Sequence, residues 1–154
     1  MKKMRSLQLI FCFLTGMFTQ QSAFAAPEVA LFFNSSFVDT AGGSGSEATN
    51  VRNSFQSLGY AVTTFTDFSE VGLTAALTGK SVLAIPEMER NNLTYYLTPP
   101  ARNVIVDFVN RGGTFIIFAD YSYYSINLMN SVFAGYALTS GGYSSIFYKT
   151  PATV

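Results

Sequence analysis

Short apolar runs alternate along the chain with segments in which apolar residues recur every three or four positions. The apolar runs are Val29–Phe33, Val62–Phe65, Val82–Ile85 and Thr114–Ala119. Continuous runs of this length are typical of strands that are buried on both faces of a sheet. The pattern therefore predicts four strands, and the last, with four large apolar residues in a row, should be the most buried.

The segments between these runs have the three- and four-residue periodicity of amphipathic helices. Ser44 and Glu47 fit a capping box at the start of the first helix, and Gly59 fits its carboxyl end. Thr98 stands before two prolines, which are tolerated in the first turn of a helix. The predicted helices are Ala48–Leu58, Ser69–Thr78, a third from Thr98 to the Arg111-Gly112-Gly113 stop, and Ile126–Ala134.

Regular alternation of strands and helices predicts an α/β fold. Because right-handed crossovers place helices on both sides of a parallel sheet, we expect three layers around a mostly parallel, flavodoxin-like sheet. The pattern weakens after Gly135, where a further strand is predicted at Ile146–Tyr148 and no closing helix follows. The domain is therefore expected to be truncated at its carboxyl end or to belong to a longer protein.

The amino terminus has the three parts of an export signal. Lys2, Lys3 and Arg5 precede the apolar run Leu7–Phe18, and Ala23-Phe24-Ala25 provides small residues for cleavage. The run of about a dozen residues is shorter than the roughly twenty that a membrane-spanning helix needs. We therefore predict a signal peptide at 1–25, a single domain at 26–154, and a periplasmic or extracellular protein without a membrane anchor after cleavage.

The composition excludes several chemistries. The chain has no histidine, and its one cysteine, Cys12, lies within the predicted signal peptide. The processed chain would therefore lack disulfides, thiolate metal sites and any thiol–imidazole pair for catalysis. It would keep six basic and nine acidic residues, a net charge of about minus three with no basic stripe, which argues against a nucleic-acid partner. We expect no cofactor.

Two stretches resemble a known family. Ser81–Glu87 ends in Ile-Pro-Glu, and Phe108–Asp120 contains Phe-Val-Asn-Arg-Gly-Gly-Thr. Both are similar to the class I glutamine amidotransferase-like fold, and more narrowly to its poorly characterised exported bacterial domains. In catalytic members a Gly-x-Cys-x-Gly elbow follows the fourth strand, and a histidine with a carboxylate comes later. Here Phe118–Ser122 has neither cysteine nor glycine. The resemblance therefore implies the scaffold without the glutaminase reaction.

Polar residues follow the ends of the predicted strands. In open parallel sheets, ligands bind beyond the carboxyl ends of the strands, at the point where strand order reverses. Several tyrosines follow the fourth predicted strand, and Tyr121 is the first of them. Their flat amphipathic rings suit binding to a glycan or to a protein surface. The candidate ligand-binding residues are Asn34, Asp67, Glu87, Glu89, Asp120 and Tyr121.

Three interpretations of the acidic residues stay open, in order of preference. They cap turns and helices or are solvated; they bind a hard cation such as calcium or magnesium; or two of them form the acid pair of a glycoside hydrolase. We assign no catalytic residue and no metal ligand. The sequence favours an exported, non-catalytic, amidotransferase-like binding or interaction module. The alternatives are a carboxylate-dependent hydrolase and a structural module of a larger surface protein.

Overall fold

The computed structural model describes residues 27–119 and 122–139, in which four strands alternate with four α-helices. The predicted signal peptide and the predicted strand Ile146–Tyr148 lie outside these residues. A short 3-10 turn, Leu93–Tyr95, precedes the third helix. The elements are β1 (Glu28–Phe32), α1 (Glu47–Ser57), β2 (Ala61–Phe65), α2 (Glu70–Leu77), β3 (Val82–Ile85), α3 (Pro99–Asn110), β4 (Thr114–Ile117) and α4 (Tyr124–Val132).

The four strands form one parallel sheet in the order β2-β1-β3-β4. Ala30 of β1 pairs with Thr63 of β2 on one side and with Leu83 of β3 on the other. The chain therefore steps from β1 to one side to form β2, and then crosses β1 to form β3. This arrangement confirms the predicted α/β fold with a parallel sheet.

Helices cover both faces of the sheet. Val29 and Leu31 of β1 pack with Val51 of α1, whereas Ala30 and Phe32 belong to a larger core on the opposite face. That larger core receives the buried side chains of α2, α3 and α4. Successive residues of β1 thus serve two different cores, which explains why this strand is an unbroken apolar run rather than an alternating one. None of the described helices is long and apolar enough to cross a bilayer.

α2 and α3 begin close to their predicted starts, and a hydroxyl side chain caps each of them. The side chain of Ser69 accepts a hydrogen bond from the backbone of Gly72 at 3.1 Å, and that of Thr98 accepts one from Ala101 at 3.4 Å. The capping box predicted for α1 is wrong. Ser46, not Ser44, precedes α1, and its hydroxyl donates to the carbonyl oxygen of Asp39 at 2.9 Å instead of capping the helix.

Three other predictions need correction. β4 ends at Ile117 and is only partly buried, because among the described strands it pairs with β3 alone; β1 and β3 are the deeply buried strands. Leu58 was expected on the buried stripe of α1, but it follows the last helical residue and is 72% exposed. α4 begins two residues earlier than predicted, at Tyr124, after Tyr123 adopts the left-handed conformation.

Candidate functional site

The strand order reverses between β1 and β3, so the loops that leave their carboxyl ends diverge there. The loop after β1 runs on to α1, which lies on one face of the sheet, and the loop after β3 leads to α3 on the other face. Such a divergence leaves a crevice beyond the strand ends, where open α/β sheets bind their ligands. The candidate site is therefore the region beyond these strand ends that is bounded by the loops at 33–46 and 86–98.

Three carboxylates meet at this site. Glu47, Glu87 and Glu89 each place one carboxylate oxygen within 4.8 Å of the others. Glu47 and Glu87 are partly buried, and Glu89 is exposed. We call these three residues the carboxylate cluster. Two of them, Glu87 and Glu89, were predicted from the sequence, whereas Glu47 was assigned only a capping role.

The local structure explains why the cluster forms. Met88, which is fully buried, anchors the chain between Glu87 and Glu89. Glu87 and Glu89 flank this residue, and they are partly buried and exposed, respectively. Glu47 occupies the first turn of α1, where the partial positive charge of the helix amino terminus stabilises a carboxylate. The helix start and the loop after β3 together bring the three charges into one place.

Hydrogen bonds from the loop after β3 hold the two loops together. Arg90 donates from Nη1 to the carbonyl oxygen of Ser35 at 2.7 Å and from Nη2 to Oδ1 of Asp39 at 2.9 Å. Asn91 donates from Nδ2 to the carbonyl oxygen of Ser36 at 2.7 Å. Because Arg90 neutralises Asp39, this aspartate serves as a loop contact rather than a fourth member of the carboxylate cluster. No pattern in the sequence predicted a role for Arg90 or Asn91.

Asn34 and Asp67 lie on the β2 side of β1 and make local structural contacts. Asn34 donates from Nδ2 to the carbonyl oxygen of Thr66 at 2.9 Å, and its Oδ1 accepts from the backbone of Ser36. Asp67 accepts from the backbone of Ser69 at 2.9 Å, just before α2. Neither side chain belongs to the carboxylate cluster. Their predicted ligand-binding role therefore stays a prediction, while their structural role is visible.

Hydrogen bonds to Ser69 lower the pKa of the Asp67 carboxyl below its ordinary value of 3.8. The backbone N–H of Ser69 has the larger effect, its hydroxyl adds to it, and desolvation opposes both weakly. Gly72 makes room for this arrangement, because a β-carbon at that position would overlap the Asp67 carboxylate. The charged form of Asp67 is thus part of the turn that starts α2.

This pKa shift predicts a pH dependence for Asp67→Asn. A carboxyl whose pKa is lowered by folding stabilises the protein above its unfolded-state pKa, and that contribution is lost as the pH falls through the folded-state value. We expect wild type to unfold at a higher urea concentration than the variant at pH 7, with the gap closing below about pH 3.8. Urea titrations from pH 7 to pH 2.5 measure this. A gap that stays constant over that range contradicts the prediction.

Two predicted site residues, Asp120 and Tyr121, lie outside the described residues. The structure instead draws attention to tyrosines that were not predicted for the site. Tyr95 and Tyr96, on the loop that also carries Glu87 and Glu89, are 82% and 54% exposed. Their signal in the sequence was a tyrosine pair between two apolar anchors, Leu93 and Leu97, just before a helix.

The carboxylate cluster can accept hydrogen bonds and bind positively charged groups. Three carboxylates whose oxygens lie within 4.8 Å of one another favour a ligand that brings positive charge or several hydrogen-bond donors. Carboxylate oxygens are also the ligands that calcium and magnesium prefer. The carboxylate cluster would instead repel an anionic ligand such as a phosphate, even though the start of α1 and its glycine-rich loop lie close by.

No protein-family model, no curated protein and no solved structure matches this chain.

Proposed function

We propose that this chain is an exported, non-catalytic binding module of amidotransferase-like architecture, whose ligand is held in the crevice between the loops after β1 and β3. The observation that carries the proposal is the carboxylate cluster at the point of strand reversal. Open α/β sheets bind ligands at that point whatever their chemistry. The ligand is expected to carry hydrogen-bond donors or positive charge.

The absence of histidine from the sequence argues against the reaction of the resembling family and so supports a binding role. A glutaminase of the resembling family needs a thiolate and an imidazole base, and the chain contains no histidine and only Cys12. The hydrogen bonds by which Arg90 and Asn91 join the two loops also favour a binding role. A site whose shape is already fixed loses little conformational entropy when a ligand binds.

Calorimetry and thermal shift with defined probes test this proposal. The probes are Ca²⁺, spermidine, and the hexasaccharides cellohexaose, chitohexaose and maltohexaose. The test variant is Glu87→Gln/Glu89→Gln, and the control is Glu70→Gln/Asp107→Asn, which removes the same two charges from exposed positions on α2 and α3. We expect at least one probe to bind wild type and the control, and to bind the test variant at least tenfold more weakly.

Two results would overturn the proposal: none of the probes binds wild type, or the test variant binds as well as the control. Thermal melts of both variants without a probe separate lost binding from lost folding. Protein recovered outside the cytosol with Ala26 as its first residue would support export; recovery of the uncleaved chain in the cytosol would argue against it.

A carboxylate-dependent glycoside hydrolase is the second candidate. The two carboxyl groups of a retaining glycosidase are about 5–5.5 Å apart. Glu87 and Glu89 each place a carboxylate oxygen within 4.8 Å of the other, so the two carboxyl groups lie side by side as such a pair requires. Release of nitrophenol from chromogenic β-glycosides, abolished in Glu87→Gln, would favour this candidate over the binding module. Binding of a sugar without turnover would favour the module.

A further inference from the structure

We propose that the segment Ile146–Tyr148 adds a fifth parallel strand to the free edge of β4, so that the protein's own chain covers this edge of the sheet. The segment lies outside the described residues, and this interaction is separate from the proposed binding function. Three features of the described residues support it: the composition of β4, the direction of its free hydrogen-bonding groups, and the handedness of the connections between the strands.

The two edges of the sheet differ in composition. β2, at one edge, carries Thr63 and Thr64 and is exposed or half-buried along its whole length. β4, at the other edge, reads Thr-Phe-Ile-Ile, and its residues Phe115 and Ile116 pack against the cores on opposite faces of the sheet. An apolar strand with both faces packed is typical of the interior of a parallel sheet. β4 therefore has the composition of an interior strand, yet among the described strands it has a partner on one side only.

The backbone of β4 has hydrogen-bonding groups that point away from β3. The N–H groups of Thr114 and Phe118 donate to carbonyl oxygens on the β3 side, at 2.9 Å and 3.0 Å. Because alternate residues of a strand face the same neighbour, Ile116 between them also faces β3. The N–H and C=O groups of Phe115 and Ile117 therefore face the free edge, where no described strand pairs with them. Such a row of groups is a template for pairing with another strand.

The handedness of the connections determines the edge at which a further parallel strand belongs. α2 and α3 lie on the face of the larger core and lead the chain toward the β4 edge, whereas α1, which packs through Val51 on the opposite face, leads it toward the β2 edge. The three connections therefore share one hand, and crossovers between parallel strands are almost always right-handed. α4 also lies on the face of the larger core, through Leu128 and Val132. A strand that follows α4 with the same hand must lie beyond β4.

The chain after α4 can reach this edge and has a suitable sequence. The side chain of Asn130 donates to the carbonyl oxygen of Leu138 at 2.8 Å and accepts from its N–H at 2.7 Å, which holds the chain beside α4. From Thr139 to Ile146 the chain can span about 23–25 Å, more than the roughly 10 Å between packed layers. The run Ile-Phe-Tyr is short and is followed by Lys149, and both short length and lysine are common in edge strands.

Amide hydrogen exchange and nuclear Overhauser effects, measured by NMR on full-length protein, test the proposal. We expect the amides of Phe115 and Ile117 to exchange within tenfold of the rate of Ile116, and to show Overhauser effects to α-protons of residues 146–148. Ile146→Pro/Phe147→Pro removes one N–H group from each side of the predicted strand. It should speed exchange at Phe115 and Ile117 at least tenfold and leave Ile116 unchanged.

Ala152→Pro/Thr153→Pro is the matched control, because it adds two prolines outside the predicted strand, and it should change none of these rates. Three results would overturn the proposal. Phe115 and Ile117 exchange far faster than Ile116 in wild type; their protection survives Ile146→Pro/Phe147→Pro; or it rises with protein concentration as a dimer forms, which would mean that a second copy covers the edge.

If Ile146→Pro/Phe147→Pro fails to fold, the Overhauser effects in wild type decide the outcome alone, and their absence refutes the fifth strand. None of these measurements involves a ligand. Failure of the proposed binding function would therefore leave this inference standing, and failure of the fifth strand would leave the binding function to its own test.

Discussion

Replacing Phe32 with alanine is expected to lower the free energy of unfolding by about 3–5 kcal/mol, the range for deleting a buried phenyl ring. Phe32 is 1% exposed at the end of β1. Its ring lies 5.9 Å from that of Phe37, 5.6 Å from that of Phe65 and 6.4 Å from that of Phe68, measured between centroids. The cavity would therefore open beneath the loops that follow β1 and β2.

Urea titration followed by circular dichroism measures this loss, and Leu58→Ala is the matched control. Leu58 is also a large apolar residue, but it is 72% exposed, so we expect its truncation to change stability by less than about 0.5 kcal/mol. If Phe32→Ala fails to fold, Phe32→Leu should still fold with a loss below about 1.5 kcal/mol. Equal losses for Phe32→Ala and Leu58→Ala would show that this aromatic cluster does not stabilise the fold.

Gly113→Ala is expected to destabilise the protein by about 1–3 kcal/mol through overpacking. α3 ends in a Schellman motif, in which the N–H of Gly112 donates to the carbonyl of Val109 at 2.9 Å and that of Gly113 donates to the carbonyl of Phe108 at 3.0 Å. The Phe108 ring lies so close to Gly113 that a β-carbon there would overlap it. The ring is buried and cannot move aside without disturbing the core.

Gly45→Ala is the control for this substitution. Gly45 has open space around its α-carbon, and its backbone does not adopt a positive φ. An added methyl group there should leave stability unchanged or raise it slightly by restricting the unfolded chain. Thermal and urea unfolding of the two variants measure the contrast. A Gly113→Ala protein as stable as the Gly45→Ala protein would mean that the Phe108 ring adapts at no cost.

The elements of this fold could be predicted from the sequence because each has a local cause. β3 matches its predicted bounds, since Pro86 ends the strand and the apolar run starts at Val82. α3 follows from Thr98, two prolines and the Gly112-Gly113 stop. The capping box failed for a non-local reason. The helix begins at Glu47, so Ser46 rather than Ser44 precedes it, and the Ser46 hydroxyl donates to the carbonyl oxygen of Asp39, seven residues away, a contact that no local pattern reveals.

The site was only partly predictable because proximity between elements decides it. Glu87 and Glu89 were identified from their place after a strand, a rule that needs only the order of elements along the chain. Glu47 could not be identified in this way, because its nearness to them depends on how α1 packs against the sheet. The sequence also failed to predict the exposure of Tyr95 and of β4, because composition does not show which strand or turn lies at the surface.

The interior position of β1 has a consequence for the time at which this domain can fold. β1, the first strand of the described residues, pairs with partners on both sides, and the second of these, β3, is complete only at Ile85. Until then the nascent chain exposes an apolar ribbon with unpaired amides, which invites aggregation or capture by chaperones. Parallel pairing over such separations is also intrinsically slow. Formation of the native sheet should therefore wait until the chain through Ile85 has been synthesised.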